Sequence, residues 1–308
     1  MKGAEKLKIT IAGGTGFVGK ALTEQLLKND HEVIILTRGR KNTNGTNRIR
    51  FVQWQSENSS PIQELEGTDI FINLAGESIN GGRWTQQRKE KILTSRLNSV
   101  NALLDIISKL RTKPKSLINA SAIGIYGTSL VKIFTEKENH GFGNDFLSNT
   151  VQQWENEVSK ASRLGIRTVF CRFGIILDKH NGALPKIAFP YQSFFGGPIG
   201  NGRQWMSWIH IEDVVNGILF IIENEQMAGP INFTAPHPVT MSEFGKSLSS
   251  VLHRPYWLPV PSVALRLLLG EMSTLVVDGQ KVLPEMLLDN GYPFKYSNLN
   301  LALKNIFS

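Results

Sequence analysis

Gly13-Gly14-Thr15-Gly16-Phe17-Val18-Gly19 follows the apolar run Leu7, Ile9, Ile11 and opens a segment with Val18, Ala21, Leu22, Gln25 and Leu26 on one helical face. Strand, glycine turn and helix in that order are the context in which a GxxGxxG spacing reads as a dinucleotide site. Glycines permit the tight turn, let the backbone approach a pyrophosphate, and allow close helix–strand packing. The free N–H groups and dipole at the helix start favour the phosphate charge. Gly13, Thr15, Gly16, Phe17, Val18 and Gly19 are therefore expected to hold a cofactor.

Working outward from this turn, apolar runs alternate with helical patterns through the first two-thirds of the chain. Strands are expected at Leu7–Ala12, Glu32–Leu36, Ile49–Trp54, Asp69–Leu74, Ser116–Ala120 and Thr168–Phe173, with helices at Gln86–Leu110 and Asn149–Leu164. That alternation implies right-handed β-α-β crossovers and an α/β fold built on a doubly wound parallel (Rossmann) sheet. Arg40–Asn47 and Ser56–Pro61 read as polar loops. Beyond Leu177, the stretch Gly182–Gly202 is rich in glycine, proline and aromatic residues and reads as a substrate loop. A helix from near Asp213 to about Glu223 returns to the sheet, and the remainder reads as a small, mainly helical C-terminal lobe. The expected division is residues 1–177 plus about 204–234 for the cofactor, and about 178–203 plus 235–308 for the substrate side.

The composition is that of a globular protein: 308 residues, 41% hydrophobic and 19% charged. Cys171 is the only cysteine, so no internal disulfide can form. The first strand begins almost at the N-terminus, leaving no room for a signal peptide, and Val263–Val277 is too short to span a bilayer. A cytoplasmic protein is expected. The net charge of +8 is spread along the chain and accompanies no nucleic-acid motif, which points to a phosphate-bearing small molecule instead. The 6 histidines show no metal-ligand spacing, and no metal site is expected. A homodimer is left open.

The second strand ends at Leu36-Thr37-Arg38, where an NAD-selective protein commonly places a carboxylate on the ribose 2′-hydroxyl. No acid stands there. Arg38, with Thr37 beside it and Arg40 nearby, suits a 2′-phosphate instead, so the expected cofactor is NADP.

Taken with Asn73-Leu74-Ala75-Gly76, Ser121-Ala122-Ile123-Gly124-Ile125-Tyr126-Gly127 and His210-Ile211-Glu212-Asp213, the glycine turn resembles the extended short-chain dehydrogenases/reductases. More narrowly, Arg83-Trp84-Thr85, Ser95-Arg96, Trp154-Glu155, Gly196–Gly200, Gln204–His210 and Gly279–Pro284 resemble its atypical branch, the "epimerase family proteins". The resemblance covers essentially the whole chain. It implies a role for Leu74, Ala75 and Gly76 beside the cofactor. It also implies a Tyr-x-x-x-Lys engine, which this chain lacks: alignment on Glu155 puts Leu147 at the tyrosine position and Val151 at the lysine position. Leu147, Val151, Trp154 and Val158 form one stripe at helical spacing.

Ser121 stands where the superfamily's hydroxyl polarises a substrate oxygen, its alternative role being to cap the strand end. Tyr126 offers a replacement acid or a packed ring, and Glu77 a base or a turn cap. Arg96 shares a largely apolar helix face with Ile92, Ser99 and Leu103 and needs a partner, either a cofactor phosphate or ribose or an internal carboxylate. Arg203–Trp208 is expected to face the substrate crevice, with Met206 at the place where nucleotide-sugar enzymes carry an arginine. Two functions follow. One is an NADP-dependent epimerase or reductase acting on a small polar, sugar-type substrate. The other is a non-catalytic NADP(H)-binding sensor or interaction protein.

Overall fold

The computed structural model describes residues 6–39, 48–56, 59, 61–138 and 143–308. Arg40, the rest of the loop to Asn47 and part of Ser56–Pro61 lie outside these residues. The central sheet holds β1 (Lys8–Ala12), β2 (Glu32–Thr37), β3 (Ile49–Gln53), β4 (Ile70–Asn73), β5 (Ser116–Ala122), β6 (Arg167–Phe173) and β7 (Gly229–Phe233). Their order is β7-β6-β5-β4-β1-β2-β3, and every neighbouring pair is parallel. Around it run α1 (Phe17–Lys28), α2 (Gln86–Lys109), α3 (Phe146–Val158), α4 (Leu184–Gln192), α5 (Ile211–Glu223), α6 (Met241–Leu252) and α7 (Leu299–Phe307).

The period of two along each strand divides the apolar side chains between two cores. Ile9, Ile11, Val33, Ile35, Ile70 and Ile72 face one side, where Leu22 and Leu26 of α1 and Val214, Ile218 and Ile221 of α5 cover them. Ile34, Leu36, Phe71 and Leu117 face the other, under Val100, Leu103 and Ile107 of α2 and Trp154 and Val158 of α3. The sheet is thus doubly wound. Its order reverses between β1 and β4, so a crevice opens at the carboxyl ends of those strands.

The six strands expected from sequence are all present, with ends shifted by no more than two residues. β7 was not legible: it starts Gly229-Pro230, and tolerates a proline because it lies at the sheet edge. The glycine-rich segment 182–202 is not loop throughout, since α4 forms within it. Pro185 sits in the first turn of α4, where a missing N–H costs nothing.

The C-terminal residues build a third core. Phe244 and Leu248 of α6 and Ala302, Leu303 and Ile306 of α7 close over Leu184, Ala188 and Tyr191 of α4. Asp213, fully buried at the start of α5, accepts hydrogen bonds from the backbone N–H groups of Lys295 (2.7 Å) and Tyr296 (2.9 Å), tying this lobe to the sheet. No helix among the described residues is long and apolar enough to cross a membrane.

His210 caps α5: its Nδ1 accepts from the Glu212 N–H at 3.1 Å, and its ring lies 4.0 Å from that of Tyr296. Burial pulls its pKa down to about 4. The folded state therefore keeps His210 neutral where the unfolded chain binds a proton. The contribution is fully present above the unfolded value near 6.5 and is lost as pH falls through 4. Urea unfolding midpoints should decline over that window by the equivalent of up to about 3 kcal/mol. His210→Asn, which keeps an acceptor at the cap, should flatten the decline; an unchanged slope would contradict this account.

Candidate cofactor and active site

β1 ends at Ala12 and the chain turns at Gly13 with φ +80°. A Cβ on Gly13 would meet the Leu74 backbone at 2.7 Å, and one on Gly19 would collide with the Gly13 carbonyl oxygen. α1 is thus seated on the turn at backbone contact distance. Gly16 is its N-cap and no side chain caps it, so the first-turn N–H groups stay available to a ligand. Over this turn opens a cleft of about 690 Å³ that extends along the carboxyl ends of β1, β4, β5 and β6.

Of the expected cofactor residues, Gly13, Gly16, Phe17, Val18, Gly19, Leu74, Ala75, Gly76 and Arg96 line this cleft. Thr15 is exposed on the turn, and the Thr37 hydroxyl donates to the Gly39 carbonyl at 3.1 Å. Arg38 is exposed at the end of β2 and forms no ion pair among the described residues. Its charge nonetheless reaches the Glu77 carboxylate across the crevice.

Arg96 projects from α2 into the cleft beside Gly76. Its Nη1 donates to the carbonyls of Glu77 (3.0 Å) and Ile92 (2.9 Å), and its guanidinium lies 5.0 Å from the centroid of Trp154. No carboxylate among the described residues pairs with it, which answers the question of an internal partner. Burial pulls its pKa down to about 10, with the Glu77 charge opposing. An uncapped helix start, a turn that only glycine can form and a half-buried guanidinium without a carboxylate partner suit a dinucleotide.

Among the expected catalytic residues, Ser121 and Glu77 line the cleft and Tyr126 does not. The Tyr126 ring is 1% exposed and stacked on Phe134. Its hydroxyl donates to Asn232 Oδ1 and accepts from Arg172 Nη1, each at 2.8 Å. Tyr126 is therefore a packed ring, with burial raising its pKa against the pull of Arg172. Glu77 accepts from Arg88 Nη1 at 2.8 Å, with Lys91 Nζ 3.8 Å away. The Arg88 hydrogen bond holds its carboxyl below the usual range, which suits a fixed charge better than a general base.

Sequence reasoning missed what lies behind Ser121. Its hydroxyl donates to Glu155 Oε1 at 2.5 Å, and Glu155 in turn accepts Nε (2.9 Å) and Nη2 (2.8 Å) of Arg172 in a bidentate pair. Both side chains are nearly buried, at 11% and 8% exposure. Burial opposes the charge on Arg172, but the hydrogen bond and charge of Glu155 outweigh it and hold its pKa above the ordinary arginine value. The signal was Arg172 within the apolar run Val169–Phe173, a position that demands a buried partner.

Leu147 and Val151 both line the cleft, as the missing Tyr-x-x-x-Lys pattern requires. Arg203–Trp208 lines none of it. Trp208 and Met206 are core residues, and the Trp205 ring is covered by Lys281 at 4.4 Å. The strand pairing of Trp205-Met206 with Val239-Thr240 turns that segment inward.

Comparison with known proteins agrees with this geometry. The model of the NAD dependent epimerase/dehydratase family matches residues 9–144, and that of the Domain of unknown function (DUF1731) matches residues 260–306. Epimerase family protein YfhF of Bacillus subtilis (strain 168) is 48% identical over 302 residues, covering 98% of each chain. The chain belongs to the epimerase family proteins. Epimerase family protein SAR0825 of Staphylococcus aureus (strain MRSA252) is 43% identical, covering 97% of this chain and 98% of that one. Among solved structures, human epimerase family protein SDR39U1 (isoform 2) with NADPH superposes with a TM-score of 0.85 at 30% identity, covering 97% of this chain and 99% of that one. UDP-glucose 4-epimerase from Thermotoga maritima, at 17% identity and a TM-score of 0.74, shares the fold.

The Glu155–Arg172 pair can be tested by truncating one partner. Arg172→Met strands a buried carboxylate and should cost about 3–5 kcal/mol in chemical denaturation. Adding Glu155→Gln should recover part of that loss. Additive losses in the double variant would show that the pair is not coupled.

Proposed function

We propose that this epimerase family protein binds NADP(H) in the cleft and serves hydride transfer to or from a small carbonyl or hydroxyl compound. The observation that carries the reading is the single cleft joining the uncapped start of α1 to Ser121. The α1 amides would take the pyrophosphate, Arg38 the 2′-phosphate, and Arg96 a further phosphate or ribose oxygen. When bound, the nicotinamide would supply or accept a hydride at C4, and the proton that accompanies it would be exchanged with solvent water. Ser121 orients the substrate oxygen. Because its own proton is directed to Glu155, Ser121 Oγ accepts a hydrogen bond from the hydroxyl form of the substrate. Glu77 contributes fixed negative charge at the rim.

In this reading residues 1–177 with about 204–234 form the cofactor half, and about 178–203 with 235–308 the substrate half. Gly182 and Lys186, on the cleft wall, support that division. A cytoplasmic setting with a small-molecule partner belongs to the same proposal. A specific observation also supports a non-catalytic NADP(H)-binding role: the cleft wall carries Leu147 and Val151 where the superfamily's acid–base pair would stand.

One titration and one screen separate these outcomes. Purified protein should bind NADPH more tightly than NADH. Arg38→Ala should weaken NADPH by about tenfold or more while leaving NADH nearly unchanged. Equal losses would contradict the 2′-phosphate role. NADPH oxidation with a carbonyl panel, abolished by Ser121→Ala, supports the enzyme; tight binding without turnover supports the sensor.

A further inference from the structure

Of the charged side chains on the cleft wall, Glu77 is held by Arg88, Arg96 donates to the carbonyls of Glu77 and Ile92, and Lys186 donates to the Asn80 carbonyl. Leu147, Val151, Trp154, Phe173 and Ile176 line the cleft beyond the glycine turn. Ser121 is engaged with Glu155, and Tyr126 is withdrawn into the core. Thr150 also lines the cleft, on the same α3 face as Leu147, Val151 and Trp154, and its side chain is in no hydrogen bond among the described residues. A sugar ring presents several hydroxyls to such a wall. Each hydroxyl buried without a partner weakens binding by roughly fivefold to a hundredfold. A compact apolar frame bearing one oxygen leaves nothing unmet.

We propose that the pocket beside Leu147 and Val151 takes an apolar carbonyl compound or its alcohol, aromatic or branched aliphatic, whose single oxygen accepts from the Thr150 hydroxyl and, in the alcohol form, donates to Ser121 Oγ. The inference rests on the cofactor reading above and narrows its substrate class away from sugars. Leu147 and Val151 then act as specificity residues: the positions that lost the acid–base pair supply the apolar wall. Thr150 is the hydroxyl that the sequence pattern concealed, one residue before the missing lysine.

The test uses the full chain and begins with NADPH titration of the wild type and each variant. Calorimetry on the NADP⁺-loaded protein, which cannot reduce a carbonyl, then compares benzaldehyde, acetophenone and cyclohexanone with glucose, galactose and UDP-glucose. The apolar carbonyls should bind and the sugars should not. Leu147→Asn should weaken the apolar probes by at least about tenfold. Thr150→Val, which keeps the side-chain shape, should weaken carbonyl probes while sparing toluene, which has no oxygen. Binding of UDP-glucose or a free sugar more tightly than any apolar carbonyl would overturn the proposal. So would failure of every apolar carbonyl to bind, or indifference of the apolar probes to Leu147→Asn. Failure to bind NADPH contradicts the cofactor reading instead, and the same probe comparison on the unloaded chain then decides the pocket's preference.

Discussion

The contact on which the site depends is the approach of Gly19 to the Gly13 carbonyl. A methyl group on Gly19 would force α1 away from the end of β1, and one on Gly13 would strike the Leu74 backbone. Because the approach is that close, the first turn of α1 points its amides into the crevice where the sheet order reverses. The Leu74 backbone packs against the same turn, so β4 delivers Leu74–Glu77 to the opposite bank without any further device. In the proposed reading, recognition of the pyrophosphate therefore rests on backbone geometry, with Arg38 and Arg96 adding side-chain charge at either end.

The opposite end of the cleft is organised by charge. Glu155 and Arg172 neutralise one another within the sheet–helix interface, and the pair reaches Ser121 on one side and Tyr126 on the other. Asn232 continues the chain of hydrogen bonds to β7 and to the Leu283 carbonyl of the C-terminal lobe. Ser121 thus takes its orientation from residues that do not line the cleft. A buried pair of this kind is a poor source of net stability but a strict constraint on geometry. Burial among partners also accounts for Tyr126, the hydroxyl nearest in sequence to the expected chemistry, being absent from it.

How much of this was legible in the sequence follows from the range of each interaction. β1 through β6 and the glycine turn are written locally, in alternation and spacing, and sequence and structure agree on them to within two residues. β7 was hidden because Gly229-Pro230 looks like a turn and only the edge position makes it a strand. α4 was hidden by its two prolines, and Arg203–Trp208 by a pairing with Val239-Thr240 that nothing local announces. Glu155 and Arg172 were both visible as residues, yet their pairing depends on how α3 crosses β5 and β6. Arg96 was recognised as needing a partner, but only the structure shows that backbone carbonyls and the Trp154 face are what it has.

The central claim is that the α1 turn holds a nicotinamide dinucleotide whose reactive ring reaches the Ser121 end of the cleft. A crystal structure of the chain grown with NADP⁺ tests it most directly. The account predicts density for the pyrophosphate on the amides following Gly16, the 2′-phosphate at Arg38, and the nicotinamide between Ser121 and the Leu147–Val151 wall. Density for the cofactor elsewhere, or an empty glycine turn under saturating NADP⁺, would contradict it.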